Sequence, residues 1–162
     1  AGISFASTSG TLVFDGGTVQ SNGASGIAVG GSGNTLVVTG GVLRSEFSNE
    51  GTALALLDGA GASVFLADTT INFSHWGIRV GDNSVAVFNG GDDAGSWGRN
   101  TLDNQQSGGA EIWDARTASG RPDLLLERTR SIHGTPPPPG TVITGDDATY
   151  GIKMDGGNRI RF

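Results

Sequence analysis

Trp76, Trp97 and Trp113 stand at or beside corners of the chain and in its first long loop. An indole exposed at such a place offers a flat apolar surface that stacks on a sugar ring. Tyr150 belongs to the same set of candidate binding residues. The plainer task for all four is to cover the apolar interior beneath a loop. Asp58, Asp82, Asp114 and Asp155 each follow an apolar segment, and stacked at one corner they would form a column of carboxylates. Such a column suits a cation, and calcium is the one cofactor the pattern admits, although it wants about six to eight oxygens at a single point. Corner aspartates also bond nearby backbone amides with no ion involved, and on that reading the chain has no metal and no cofactor. His75 and His133 each stand alone, whereas zinc needs three or four ligands. Cysteine is absent, which excludes disulfides, thiolate metal sites and cysteine nucleophiles. No segment has the form of a nucleophile elbow.

The elements that position these residues repeat along the chain. Ile3-x-Phe5 returns as Ile27-x-Val29, Leu54-x-Leu56 and Ile78-x-Val80, at nearly even intervals. A second apolar pair follows each of these: Leu12-x-Phe14, Leu36-x-Val38, Val64-x-Leu66 and Val85-x-Val87. A third position follows again at Val19, Leu43, Ile71 and Leu102. Period-2 alternation is the pattern of a strand with one buried face. Between the strands lie turn formers such as Gly30-Gly31-Ser32-Gly33-Asn34, Asp58-Gly59-Ala60-Gly61 and Gly81-Asp82-Asn83, residues that accept the positive φ of a sharp corner. No stretch keeps a helical apolar period over three turns.

Three short strands and their corners make one triangular coil, and a crossover between parallel strands is right-handed in nearly all cases. The expected fold is therefore all-β: a right-handed parallel β-helix, a three-faced β-solenoid of about five to six coils, forming one domain over residues 1–162. Ile112, Leu124-x-Leu126 and Ile132 supply the fifth coil, and Ile152-x-Met154 with Ile160-x-Phe162 begin a sixth. Loop insertions fall near residues 89–100 and 134–147. The second contains Pro136 to Pro139, which lack backbone donors and bulge from any ladder. An antiparallel sandwich would also use short strands and turns, but it has no reason to repeat its apolar register.

Composition narrows the function classes. Glycine accounts for 29 of 162 residues, and only 16% of residues are charged. The formal net charge is −6, which disfavours nucleic acid as a partner because phosphate binding needs a basic patch. No apolar run reaches the length of a membrane-spanning helix. A glycine-rich, acidic chain with one lysine fits an extracellular or cell-surface protein.

Gly26-Ile27-Ala28-Val29 and Gly77-Ile78-Arg79-Val80, each followed by a turn and a Val- or Leu-rich strand, resemble the repeat of the right-handed parallel β-helix superfamily. Ser96-Trp97-Gly98-Arg99-Asn100-Thr101-Leu102 resembles a glycine–asparagine turn that precedes strands in its secreted members. The resemblance covers almost the whole chain and implies architecture, not activity, because members range from polysaccharide lyases and galacturonases to autotransporter passengers and adhesins. Pectin hydrolases of this fold share an Asp-Asp pair, a His-Gly and an Ile-Lys. By resemblance Asp92, Asp93 and His133 become the catalytic candidates, with Ile152-Lys153 alongside them. The family's Asn-Thr-Asp element is missing, and the acid pair falls in an insertion.

The expectation is a non-catalytic surface module with a structural or adhesive role that contacts polysaccharide. A polysaccharide lyase or glycoside hydrolase is the alternative. The apolar repeat is running at Ile3 and still running at Phe162, without the polar cap that solenoids usually carry. The expected partner is therefore a neighbouring coil, supplied by a longer chain or by a second copy joined head to tail into a filament.

Overall fold

A computed structural model describes residues 1–46, 51–57, 61–72, 74–82, 100–103, 109–117, 124–125, 129–131, 141–144, 150–155 and 160–161. Among them every regular element is a β-strand, and every strand pairing is parallel. The strands are β1 (Ile3–Ser7), β2 (Gly10–Asn22), β3 (Ser25–Gly31), β4 (Asn34–Glu46), β5 (Thr52–Leu56), β6 (Ser63–Ala67), β7 (Thr70–Asn72) and β8 (Trp76–Val80). They continue as β9 (Thr101–Asp103), β10 (Ala110–Asp114), β11 (Leu124–Leu125), β12 (Thr129–Ser131), β13 (Thr141–Thr144), β14 (Tyr150–Met154) and β15 (Ile160–Arg161). All-parallel pairing excludes an antiparallel sandwich, whose hairpins join neighbours of opposite direction.

One sheet runs β1-β3-β5-β8-β10-β14. Its register places Ile3, Ile27, Leu54, Ile78, Ile112 and Ile152 side by side, one from each pass of the chain. Ile27, Leu54, Ile78 and Ile112 are buried, and Val29, Leu56 and Val80 form a second buried column two residues on. Residues two apart share a face of a strand, so the apolar period in the sequence becomes two parallel ridges. Leu36, Val38, Val64 and Leu66 of β4 and β6, with Val19, Leu43, Ile71 and Leu102, complete the same apolar cluster.

The second sheet runs β12-β13-β9-β7-β4-β2, with β6 also on β4. β2 and β4 are long because each bends sharply without losing its ladder. Gly16 and Gly40, at φ of 71° and 62°, make those bends. The following pass splits at the same place into β6 and β7, and Asp68 stands between them at φ 50°, the only non-glycine with positive φ among the described residues. A left-handed residue thus recurs on three passes, and aspartate is among the few side chains that tolerate it. Asn100 plugs the next corner: it accepts from the Thr69 N–H at 3.0 Å and donates to the Leu66 carbonyl at 2.8 Å while fully buried. Buried backbone groups at a bend need such partners.

The strands near the end of the sheet depart from sequence order. β13, not β12, lies against β9, and β12 pairs outside β13. Residues 141–144, which sequence reading assigns to the second insertion, are therefore a strand of the sheet. The register supplies a reason. Ile143 takes the place beside Leu102, continuing the apolar column from Ile71, whereas β12 would bring Ser131 to that position by the same pairing. Val85-x-Val87, Leu126, Ile132, Phe162 and the first insertion near residues 89–100 lie outside or largely outside the described residues.

Candidate functional site

The residue that follows each column isoleucine on the later passes lies on the opposite face of the sheet. Arg79 follows Ile78, Trp113 follows Ile112 and Lys153 follows Ile152, and the three are Cα register partners on β8, β10 and β14. Earlier passes hold Ser4, Ala28 and Ala55 in that column. The face therefore changes from small residues to a cation–indole–cation ladder. Neighbouring strands are about 4.8 Å apart, which is the spacing of stacked side chains.

The geometry matches. The Arg79 guanidinium carbon is 5.1 Å from the Trp113 ring centroid, and the Lys153 ammonium is 4.5 Å from the same ring. Cations within about 6 Å of an indole face are attracted by its quadrupole. Trp76, at the start of β8, brings its ring to 4.5 Å from that of Trp113 at an interplanar angle of 38°, and Lys153 lies 5.1 Å from the Trp76 ring. His75 packs edge-on against Trp76 at 4.4 Å. The Trp113 indole N–H donates to Asp155 Oδ2 at 2.7 Å, and Asp155 Oδ1 is 3.8 Å from the Lys153 ammonium. Trp76 and Trp113 are half-buried, and Lys153 and Asp155 are each about a third exposed. The arrangement presents aromatic surface, two cations and one carboxylate.

Of the sequence candidates, Trp76 and Trp113 come together here. The backbone of Tyr150 joins the same sheet, in register with Ala110. Trp97, Asp58, Asp92, Asp93 and His133 lie outside the described residues. Arg79 and Lys153 are the residues that an aromatic search passes over, and their signal is positional: each directly follows a column isoleucine.

Among the described residues, Asp82, Asp114 and Asp155 do not form one column; Asp58 lies outside them. Asp82 accepts from the Thr117 backbone N–H and, at 3.1 Å, from its hydroxyl, joining two passes. Asp114 is fully buried and bonds the equally buried Arg116 through both carboxylate oxygens, at 2.7 Å to Nε and 2.8 Å to the terminal nitrogen. Asp155 belongs to the tryptophan face. Counted from the column residue, Asp58 and Asp82 come four positions on, Asp114 two and Asp155 three. The pleat alternates faces, so Asp114 turns to the Val80 side and Asp155 to the Trp113 side. Among the described residues no group of three His, Asp or Glu side chains could hold a metal ion. No helix among them is long and apolar enough to cross a membrane.

No family model matches the chain, and no curated protein or solved structure matches it either.

Proposed function

We propose that the chain is a right-handed parallel β-helix module, wound on three faces, with a structural or adhesive role outside the cell or at its surface, and that it contacts carbohydrate through the Trp76–Trp113 face. The observation that carries the binding role is the meeting of two indoles, distant in the chain: Trp76, at the start of β8, lies against Trp113, which follows a column isoleucine on the opposite face of the sheet. Both indoles are only half-buried, and the interior is filled by Ile78, Val80 and Ile112. Support for the winding comes from the all-parallel pairing, the one-residue-per-pass columns and the repeated left-handed bends at Gly16, Gly40 and Asp68. Right-handed crossover is the rule for such connections.

The same repeat gives the module a way to extend. Among the described residues β1 pairs only with β3, and the β2 ladder only with β4. A further pass of equal period, from more chain or from a second copy, would pair at those edges.

Calorimetry of the protein against soluble polysaccharides tests the binding role. Saccharide binding is expected, weakened about tenfold or more by Trp113→Ala, because aromatic contacts supply much of the energy in such sites. Saturable binding that survives both Trp76→Ala and Trp113→Ala would remove this face from the proposal. Release of reducing ends during the titration would favour an enzyme instead.

A further inference from the structure

We infer that the saccharide this face takes is an anionic one, carrying carboxylate or sulfate groups on its rings; the inference rests on the carbohydrate-binding reading above. Lys153, the single lysine of the chain, and Arg79, one of only two Lys or Arg residues in the first 98, stand in one register column on either side of Trp113. A protein of net charge −6 thus gathers two of its ten cations on the same small aromatic surface.

The lysine is the more telling of the two. Its ammonium rests against two indoles at 4.5 and 5.1 Å, contacts that offer it no acceptor oxygen. Its nearest described carboxylate oxygen is Asp155 Oδ1 at 3.8 Å, beyond hydrogen-bond range. The other oxygen of Asp155 is held by the Trp113 indole at 2.7 Å, which fixes the carboxylate in that position. The lysine side chain remains 34% exposed. It therefore presents donors to water beside a preformed aromatic surface.

An anionic sugar answers each feature. Its apolar ring face lies against the half-buried indole surface, and its charged substituent meets the ammonium as a charge-assisted acceptor. A neutral sugar would use the aromatic surface alone. A simple anion would use the ammonium alone.

The test is calorimetry of the full chain at low salt with three probes: polygalacturonate, dextran sulfate and unmodified dextran. At least one charged polymer is expected to bind tenfold or more tightly than dextran, with affinity falling steeply as salt rises. Which of the two binds separates carboxylate from sulfate recognition. Lys153→Gln is expected to lower affinity for that polymer about fivefold or more and to leave dextran unchanged, while Lys153→Arg retains most of the binding. Arg44→Gln, on the other large sheet where Arg44 contacts Gln20, is expected to change nothing. Equal binding of dextran and the charged polymers, or an unaltered Lys153→Gln variant, overturns this inference while the carbohydrate reading stands. Binding of none of the three overturns both.

Discussion

Arg116→Ala is expected to lower the unfolding free energy by about 3–5 kcal/mol, because it leaves Asp114 charged and buried without its partner. Both side chains are fully buried. Asp114 also sits in register with Val80, so it occupies a position that earlier passes give to Val29 and Leu56. Domains of this size are stable by about 5–15 kcal/mol in all, so the loss is a large fraction of the total. A second variant separates the cost of breaking the pair from the net worth of having it. Replacing both groups, Asp114→Val with Arg116→Met, restores the apolar column and removes both charges together. Such exchanges are often neutral or stabilising by about 1–4 kcal/mol. Here the gain is reduced, because the Arg116 backbone N–H also reaches Asp114 at 3.3 Å and loses that acceptor. Urea unfolding is therefore expected to rank wild type and double variant within about 1.5 kcal/mol of each other, with Arg116→Ala far below both. If Arg116→Ala unfolds at the wild-type midpoint, the pair is not buried as described.

Leu54→Ala is expected to cost about 2–5 kcal/mol, the range for a large aliphatic side chain removed from a packed interior. Leu54 lies fully buried between Ile27 and Ile78 on neighbouring strands. The surrounding ladders hold its neighbours in place and limit the collapse that would fill the cavity. Val13→Ala supplies the contrast. Val13 follows the interior-facing Leu12 in the chain and is 62% exposed. Its truncation is expected to change stability by no more than about 0.5 kcal/mol. Equal effects at the two positions would mean that the alternation of faces is wrong. Denaturant midpoints at constant m-value decide between these outcomes.

The difference between the legible and illegible parts of this chain follows from how each is encoded. The columns through Ile27, Leu54 and Ile78 are readable because burial imposes the same apolar type at the same period. The left-handed bends are half-readable: glycine announces Gly16 and Gly40, but Asp68 does the same work without that signature. The order β9-β13-β12 is not readable, since Thr129–Ser131 and Thr141–Thr144 are both short and polar-edged, and the choice turns on which brings an isoleucine beside Leu102. The Trp76–Trp113 contact is hidden by the long segment between β8 and β9, whose length erases any simple spacing. Arg79, Trp113 and Lys153 are visible in principle as the residues after three column isoleucines. Asp82, Asp114 and Asp155 part for a reason that can be counted: the odd offset of Asp155 from the column turns it to the face opposite Asp114, and Asp82 lies beyond the end of β8.

Disulfide trapping across neighbouring passes examines the stacked register itself. The chain has no cysteine, so introduced thiols are the only ones present. Val13 and Val37 are Cα partners on β2 and β4. Partners on adjacent strands lie about 4.8 Å apart, within disulfide range. Val13→Cys with Val37→Cys is expected to oxidise readily in the folded protein. Asp15 pairs with Thr39, so Asp15→Cys with Thr35→Cys is out of register by four positions. That offset is about 13 Å along the strand, and the second pair is expected to stay reduced. A matched pair that refuses to close, or a mismatched pair that closes as fast, would show that the passes of this chain do not lie one upon another as described.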